Sequence, residues 1–263
     1  MNARTSLRRL SVFAAALLVS AKIASPVSAA EITVMISGAI TPSVNQLKGE
    51  FEQKTGHKVV TVGGGSMGNS PGTIPNRLRA GQADDLIIIA RPSVDDLAKE
   101  GLVDPKSVQD LVISKVGFAV QKGMPVPDIS TPEKLKQVLL KANSIAYSSS
   151  ASGLYIKNEL FKKLGIEAEI AKKKISENGG AGIAKGEAEV GFQQVSELKA
   201  IKEITLVGPI PDSIQLITPW TAAISSKSQN PAAAKEFIAF MQSPHAQEVI
   251  AATGLEPVKP KKM

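Results

Sequence analysis

The chain has 263 residues, no cysteine, two histidines, and 31 Lys+Arg against 24 Asp+Glu, a formal net charge of +7. Without cysteine there is no disulfide framework, thiolate metal site or thiol nucleophile, and 4% aromatic residues is thin for stacking single-stranded nucleic acid. A hydrophobic share of 43% and a charged share of 21% are those of a folded chain long enough for one or two domains.

The first 30 residues read as a secretory signal peptide. Arg4, Arg8 and Arg9 precede an apolar run at 10–19, followed by Lys22, Pro26 and the small residues Val27-Ser28-Ala29-Ala30. That is a basic region, a short apolar core and a cleavage site. The run is about half of the ~20 residues that a spanning helix needs. No cysteine follows it, which excludes a lipoprotein anchor, and the expected mature protein is soluble, exported and periplasmic. Removing 1–30 takes away four basic residues and no acid, leaving 27 Lys+Arg against 24 Asp+Glu. Lys259, Lys261 and Lys262 then sit in a proline-flanked tail that reads as a solvated end. The body between is balanced, so charge gives no case for a nucleic-acid partner.

The body alternates strands and helices. A β-branched run at 32–37 predicts a buried strand, and Thr41-Pro42 predicts a helix with Thr41 as N-cap, Val44, Leu47 and Phe51 on one face, and Gly56 at its end. A second strand at 58–62 leads into the loop Gly63-Gly64-Gly65-Ser66-Met67-Gly68 and a short helix at 74–80. The most apolar strand, 85–90, precedes a helix with Ser93 as cap and Gly101 as stop. Three βα units in succession predict a parallel sheet with helices on both faces. Further on come a strand at 115–120, a capping box at Ser130 with a helix to Lys141, and a strand at 144–147. A serine-rich loop at 148–153 precedes a helix at 154–164, and Gly179-Gly180 precedes a short helix. Strands follow at 189–193, 205–207 and 214–225, the last interrupted at Pro219, with helices at 195–201, 231–242 and from Pro244 to Gly254.

Ligands in open α/β sheets bind beyond the carboxyl ends of strands. Four such ends here share one chemistry: Ser37-Gly38-Ala39, Ser66-Met67, Ser148-Ser149-Ser150 with Ser152, and Gln194. They offer hydroxyls, amides and backbone N–H groups and no carboxylate, a set that suits an anion. Arg91 is the one cation at such an end. A serine before a helix is more often only a cap and a glycine after a strand only a turn, so it is the convergence of several loops that carries the reading. Tyr155 and Trp220 read as core or cleft wall, and Gly179-Gly180 as an anion cradle or a plain turn. Gly64-Gly65-Ser66-Met67-Gly68 also fits G-x-S-x-G, which leaves an exported serine hydrolase with Ser66 as nucleophile as the alternative. His245 is the only later histidine that would serve as its base, and residues 69–72 delay the helix the motif requires. The chain carries no P-loop, dinucleotide fingerprint or metal-binding motif, and no cofactor is expected.

In order and spacing, several segments together resemble the periplasmic substrate-binding proteins of ABC transporters, in the molybdate-binding-like branch. They are 32–39 (ITVMISGA), 51–59 (FEQKTGHKV), 79–87 (RAGQADDLI), 152–155 (SGLY), 187–192 (EAEVGF), 232–238 (AAAKEFI) and the terminal 254–257 (GLEP). The resemblance implies an α/β type II periplasmic-binding-protein fold with two lobes, each a mostly parallel sheet flanked by helices, and a ligand cleft between them. Residues 31–113 with 219–263 would form one lobe and 114–218 the other. It implies a non-catalytic capture protein, a monomer, that binds a small anion and delivers it to an ABC-type membrane permease; a ligand-sensing role is the variant of that reading. In the family, uncharged donors from both lobes hold the oxyanion. Here the family's first-strand serine motif stands as Ser37-Gly38-Ala39, the acidic position after the third strand as Arg91, an apolar contact position as Ser150, and the late tyrosine as Gln194. The resemblance implies an oxyanion such as molybdate as ligand, whereas these changes point to a roomier, more polar site with a cation, for a larger anion such as an organic carboxylate.

Overall fold

The computed structural model describes residues 29–82 and 84–258. The expected signal segment up to residue 28 and the lysine-rich tail from residue 259 lie outside the described residues. In chain order the elements begin with β1 (Glu31–Ile36), a single helical turn at Gly38–Ile40, α1 (Thr41–Thr55), β2 (Lys58–Gly63), α2 (Ile74–Arg79), β3 (Leu86–Ala90) and α3 (Arg91–Lys99). β1 lies between β2 and β3 and is parallel to both. The alternation of β1 decides which helix lies on which face. Ile32, Val34 and Ile36 pack with Val44, Leu47 and Phe51 of α1, whereas Met35 packs with Leu78 of α2 and Val94 and Leu97 of α3.

The second half continues with β4 (Gln109–Gln121), α4 (Pro132–Lys141), β5 (Ser144–Ala146) and α5 (Ala151–Tyr155). α5 runs on through a π-helical turn, Ile156–Leu160, into α6 (Phe161–Leu164), and α7 (Glu167–Ile170), β6 (Lys174–Ser176), α8 (Gly179–Ala184), β7 (Val190–Gln194), α9 (Val195–Lys199) and β8 (Ile204–Pro209) follow. β9 (Ile217–Ile224), α10 (Pro231–Met241), α11 (Pro244–Ala252) and β10 (Glu256–Pro257) complete the described chain.

β4 belongs to two lobes. Its first part pairs antiparallel with β9, which in turn pairs with β3, and its second part pairs with β7 and β8. Around the first part, one core joins β1 and β3 to α1, α10 and α11 through Phe51, Phe237 and Ile250. Around the second, a separate core joins Phe118, Leu135, Tyr155, Phe161 and Phe192. The chain leaves the first lobe along β4 and returns through the segment before β9. Gln215 ties the two passages together: its Oε1 accepts from Val116 N–H at 2.7 Å, and its Nε2 donates to the carbonyls of Val116 at 3.1 Å and Ile210 at 3.0 Å.

Several local expectations are corrected. Thr41 is not a cap, because the turn at Gly38–Ile40 precedes α1; its hydroxyl instead donates to the Ser37 carbonyl at 3.2 Å. Ser93 does not cap α3, which begins at Arg91; its hydroxyl donates to the Ser66 carbonyl at 2.7 Å. The cap of α4 is Thr131, not Ser130, and it accepts from Lys134 N–H at 3.2 Å. The helix expected from residue 154 starts at Ala151. β9 is continuous through Pro219, because its pairing with β3 ends at Trp220 and the proline lies beyond that ladder.

Candidate functional site

The carboxyl ends of β1, β2 and β7 and the turn before α5 meet at one cavity of about 290 Å³ between the lobes. In the first lobe, β1 ends at Ser37 and β2 leads through glycines to Ser66. Both serines are buried, and the Ser66 hydroxyl donates to Ser37 Oγ at 2.6 Å while accepting from Ala90 N–H at 3.3 Å. That direction leaves the Ser37 hydroxyl proton for a third group.

In the second lobe, Gly153 lets the first turn of α5 fold back on the Ser148 carbonyl; a Cβ there would overlap that oxygen. The turn brings Ser148, Ser150 and Ser152 to the cavity. Ser150 Oγ accepts from Ser66 N–H at 3.0 Å, a hydrogen bond from one lobe to the other. At the end of β7, Gln194 Oε1 accepts from Ser114 Oγ at 2.7 Å, which fixes the other end of the amide as the donor. That donor, Gln194 Nε2, is buried with no partner among the described residues, and so is Trp220 Nε1 in β9. Both residues line the cavity and both are 2% exposed. An unpaired buried N–H costs about 1–3 kcal/mol, so two beside one cavity point to an acceptor that completes them.

One lining residue is acidic. Glu197 comes from α9, and its carboxylate lies so close over Gly38 that a Cβ at that position would overlap Oε1. Gln193 holds it: Nε2 donates to Glu197 Oε1 at 2.6 Å, and Gln193 Oε1 accepts from Gly180 N–H at 2.7 Å. Desolvation pushes the carboxyl up from 4.5 to about 7, against the amide of Gln193 and the backbone N–H of Gln194, which favour the charged form. Glu197 is the single ionisable side chain among the residues lining this cavity.

Of the residues expected from sequence, Ser37, Gly38, Ala39, Ser66, Ser148, Ser150, Ser152 and Gln194 line the cavity together. Met67 does not; it lines a neighbouring hollow of about 790 Å³ that shares Gly65, Ser148 and Ser150 with this cavity. Arg91 is also elsewhere. Asp95 at 2.7 Å and Asp110 at 2.9 Å bind its guanidinium, and those two carboxylates, Asp95 first, hold it firmly charged. The expectation that no carboxylate reaches the site is corrected by Glu197. Gly180 spends its N–H on Gln193, so the glycine pair, the first two residues of α8, packs against that side chain. Neither histidine is near Ser66: His57 bonds Ala30 N–H and Glu236, and His245 bonds Glu50. Sequence reasoning missed Glu197 because an acid three residues into a helix reads as a cap-region residue. Nothing local marks it as turned inward.

Two α/β lobes joined by two passages of the chain, with hydroxyl and amide donors facing each other across a cleft, define the type II periplasmic-binding-protein fold. The chain belongs to the bacterial extracellular solute-binding protein family, whose model matches residues 32–256. It is 40% identical over 230 residues to the aconitate isomerase of a Pseudomonas species, spanning 86% of this chain and 88% of that protein. It is 27% identical over 236 residues to the molybdate-binding protein ModA of Azotobacter vinelandii, spanning 86% of this chain and 90% of that one. Among solved structures, the periplasmic molybdate-binding protein of Azotobacter vinelandii superposes with a TM-score of 0.69 at 23% identity, covering 88% of this chain and all (100%) of that one.

Proposed function

We propose that the chain is an exported, monomeric capture protein whose cleft holds a small organic anion bearing carboxylates and presents it to an ABC-type membrane permease. The observation that carries this reading is that the two residues with buried, unpartnered donors, Trp220 at Nε1 and Gln194 at Nε2, both line one inter-lobe cavity. Ser37, Ser66, Ser148, Ser150, Ser152 and the backbone of Gly38 and Ala39 complete the proposed binding set. A volume of about 290 Å³ sits at the small end of ligand pockets, which span about 300–1,000 Å³. Residues 31–113 with 219–258, the described part of 219–263, and residues 114–218 are the proposed rigid bodies, closing about the passages that Gln215 ties. The hydrolase alternative has no imidazole at Ser66 to support it.

A carboxylic ligand is favoured over a metal oxyanion by the 40% identity to a protein named aconitate isomerase. That identity, together with Glu197 on the cavity wall, favours a second reading, in which the bound acid is also isomerised. The test is Trp220→Phe, which keeps an aromatic ring and removes the N–H. Calorimetric titration with trans-aconitate is expected to show binding at least tenfold weaker than wild type, since a hydrogen bond to a charged group is worth about 1.5–3 kcal/mol. Unchanged affinity would remove Trp220 from the site.

A further inference from the structure

We propose that Glu197 is the acid–base residue of a proton shift within the cleft, and that the substrate class is a short unsaturated polycarboxylate with a C–H next to its double bond. This rests on the reading of the cavity as a carboxylate site and assigns the chemistry of that site.

The placement is the first argument. Among the cavity-lining residues every other polar group is a hydroxyl, an amide, an indole N–H or backbone, so Glu197 is the only one able to take and return a proton near neutrality. It is not there as half of an ion pair, because among the described residues no salt bridge includes it. Its two supports are neutral amide donors, which hold it in place and favour the charged form, but desolvation outweighs them. Gln193 is itself fixed from behind by Gly180, and Gly38 leaves room for the carboxylate on the opposite lobe. A carboxyl group that merely stabilised the fold would be paired or solvated; this one is desolvated and near half-ionised at neutral pH, as a general acid–base requires.

The second argument is the balance of the step. The Glu197 carboxylate removes a proton from the sp³ carbon beside the double bond. The C–H electron pair forms a new C=C, the old π pair moves to the far carbon, and that carbon receives the proton from Glu197. No atom is gained or lost and no oxidant or reductant enters. On a three-carbon skeleton with a carboxylate on each carbon, the double bond moves by one carbon and the geometry can return as the other isomer. During the shift, negative charge spreads into the carboxylate oxygens. Trp220 Nε1, Gln194 Nε2 and the Ser37 hydroxyl are the donors that can stabilise it.

The experiment uses the purified wild-type protein and Glu197→Gln, with trans-aconitate as the probe. Calorimetry reads binding and proton NMR reads conversion. Wild type is expected to bind and to produce the cis isomer. E197Q is expected to bind within a few-fold of wild type and to convert at least ~100-fold more slowly, the usual scale of general acid–base catalysis. E197Q is expected to fold, because the substitution removes a desolvated carboxyl; its thermal midpoint verifies this. Conversion by E197Q at the wild-type rate overturns the proposal, and so does wild-type binding without conversion. Failure of wild type to bind trans-aconitate at all overturns the ligand reading itself, and the two failures are thereby distinguished.

Discussion

Glu197 couples the site to stability through its proton. Its carboxyl ionises near 4.5 in an unfolded chain and near 7 in the folded protein, chiefly because burial disfavours the charge. Below 4.5 both states hold the proton and the group contributes nothing to the difference. Between the two values only the folded state holds it, so stability falls as pH rises through that window and levels off above about 7. The ligand-free E197Q protein lacks this slope. Chemical denaturation of both proteins from pH 4 to 8 is therefore expected to give curves that coincide in acid and separate toward neutrality, with the variant more stable. Curves that stay parallel across the range would contradict the raised value. At the same scale, the serines and Gln194 were legible in the sequence, because hydroxyls and amides after strands follow from the general position of ligands in α/β sheets. Arg91 was misread for a physical reason. A cation after a strand is drawn to the nearest carboxylates, here Asp95 one turn on and Asp110 in β4, and the second of these is a tertiary contact that no local pattern shows.

At the scale of elements, the site depends on a backbone fit at the start of α5. Gly153 lies against the Ser148 carbonyl so closely that any Cβ would overlap it, and this packing sets where Ser148, Ser150 and Ser152 stand. Gly153→Ala is expected to lower stability by about 1–3 kcal/mol or more, as overpacking against backbone does, and to weaken ligand binding in the molecules that remain folded. Thermal denaturation with a parallel titration checks both effects; an unchanged midpoint would show that the turn relaxes freely. The helix boundary itself was misplaced from sequence by three residues, since a serine-glycine run reads as loop until its tertiary support is known. The three βα units of the first lobe were readable because each strand is β-branched and each helix carries an apolar stripe. β6, α7 and β10 were not, being elements of two to four residues with too few positions to show a period. β4 was read at half its length. Its first half gains strand structure from pairing with β9, a partner more than a hundred residues away in the chain.

At the scale of the molecule, two cores meet across a cleft, and the chain crosses between them twice, with Gln215 bonding one passage to the other. The Ser66–Ser150 hydrogen bond joins the two walls of the cleft, so under the proposed function capture of a ligand and approach of the lobes would use the same residues. The net charge that stands out in the full sequence has little part in this. The described cavity is lined by neutral donors and one acid, and the affinity proposed for an anion would come from the directions of N–H and O–H groups. The central claim is that those donors serve a small organic carboxylate. Calorimetric titration of the purified mature protein with trans-aconitate, and separately with molybdate, tests it most directly. Saturable one-site binding of trans-aconitate with none of molybdate is the predicted result; tight binding of molybdate with no heat from trans-aconitate would contradict it.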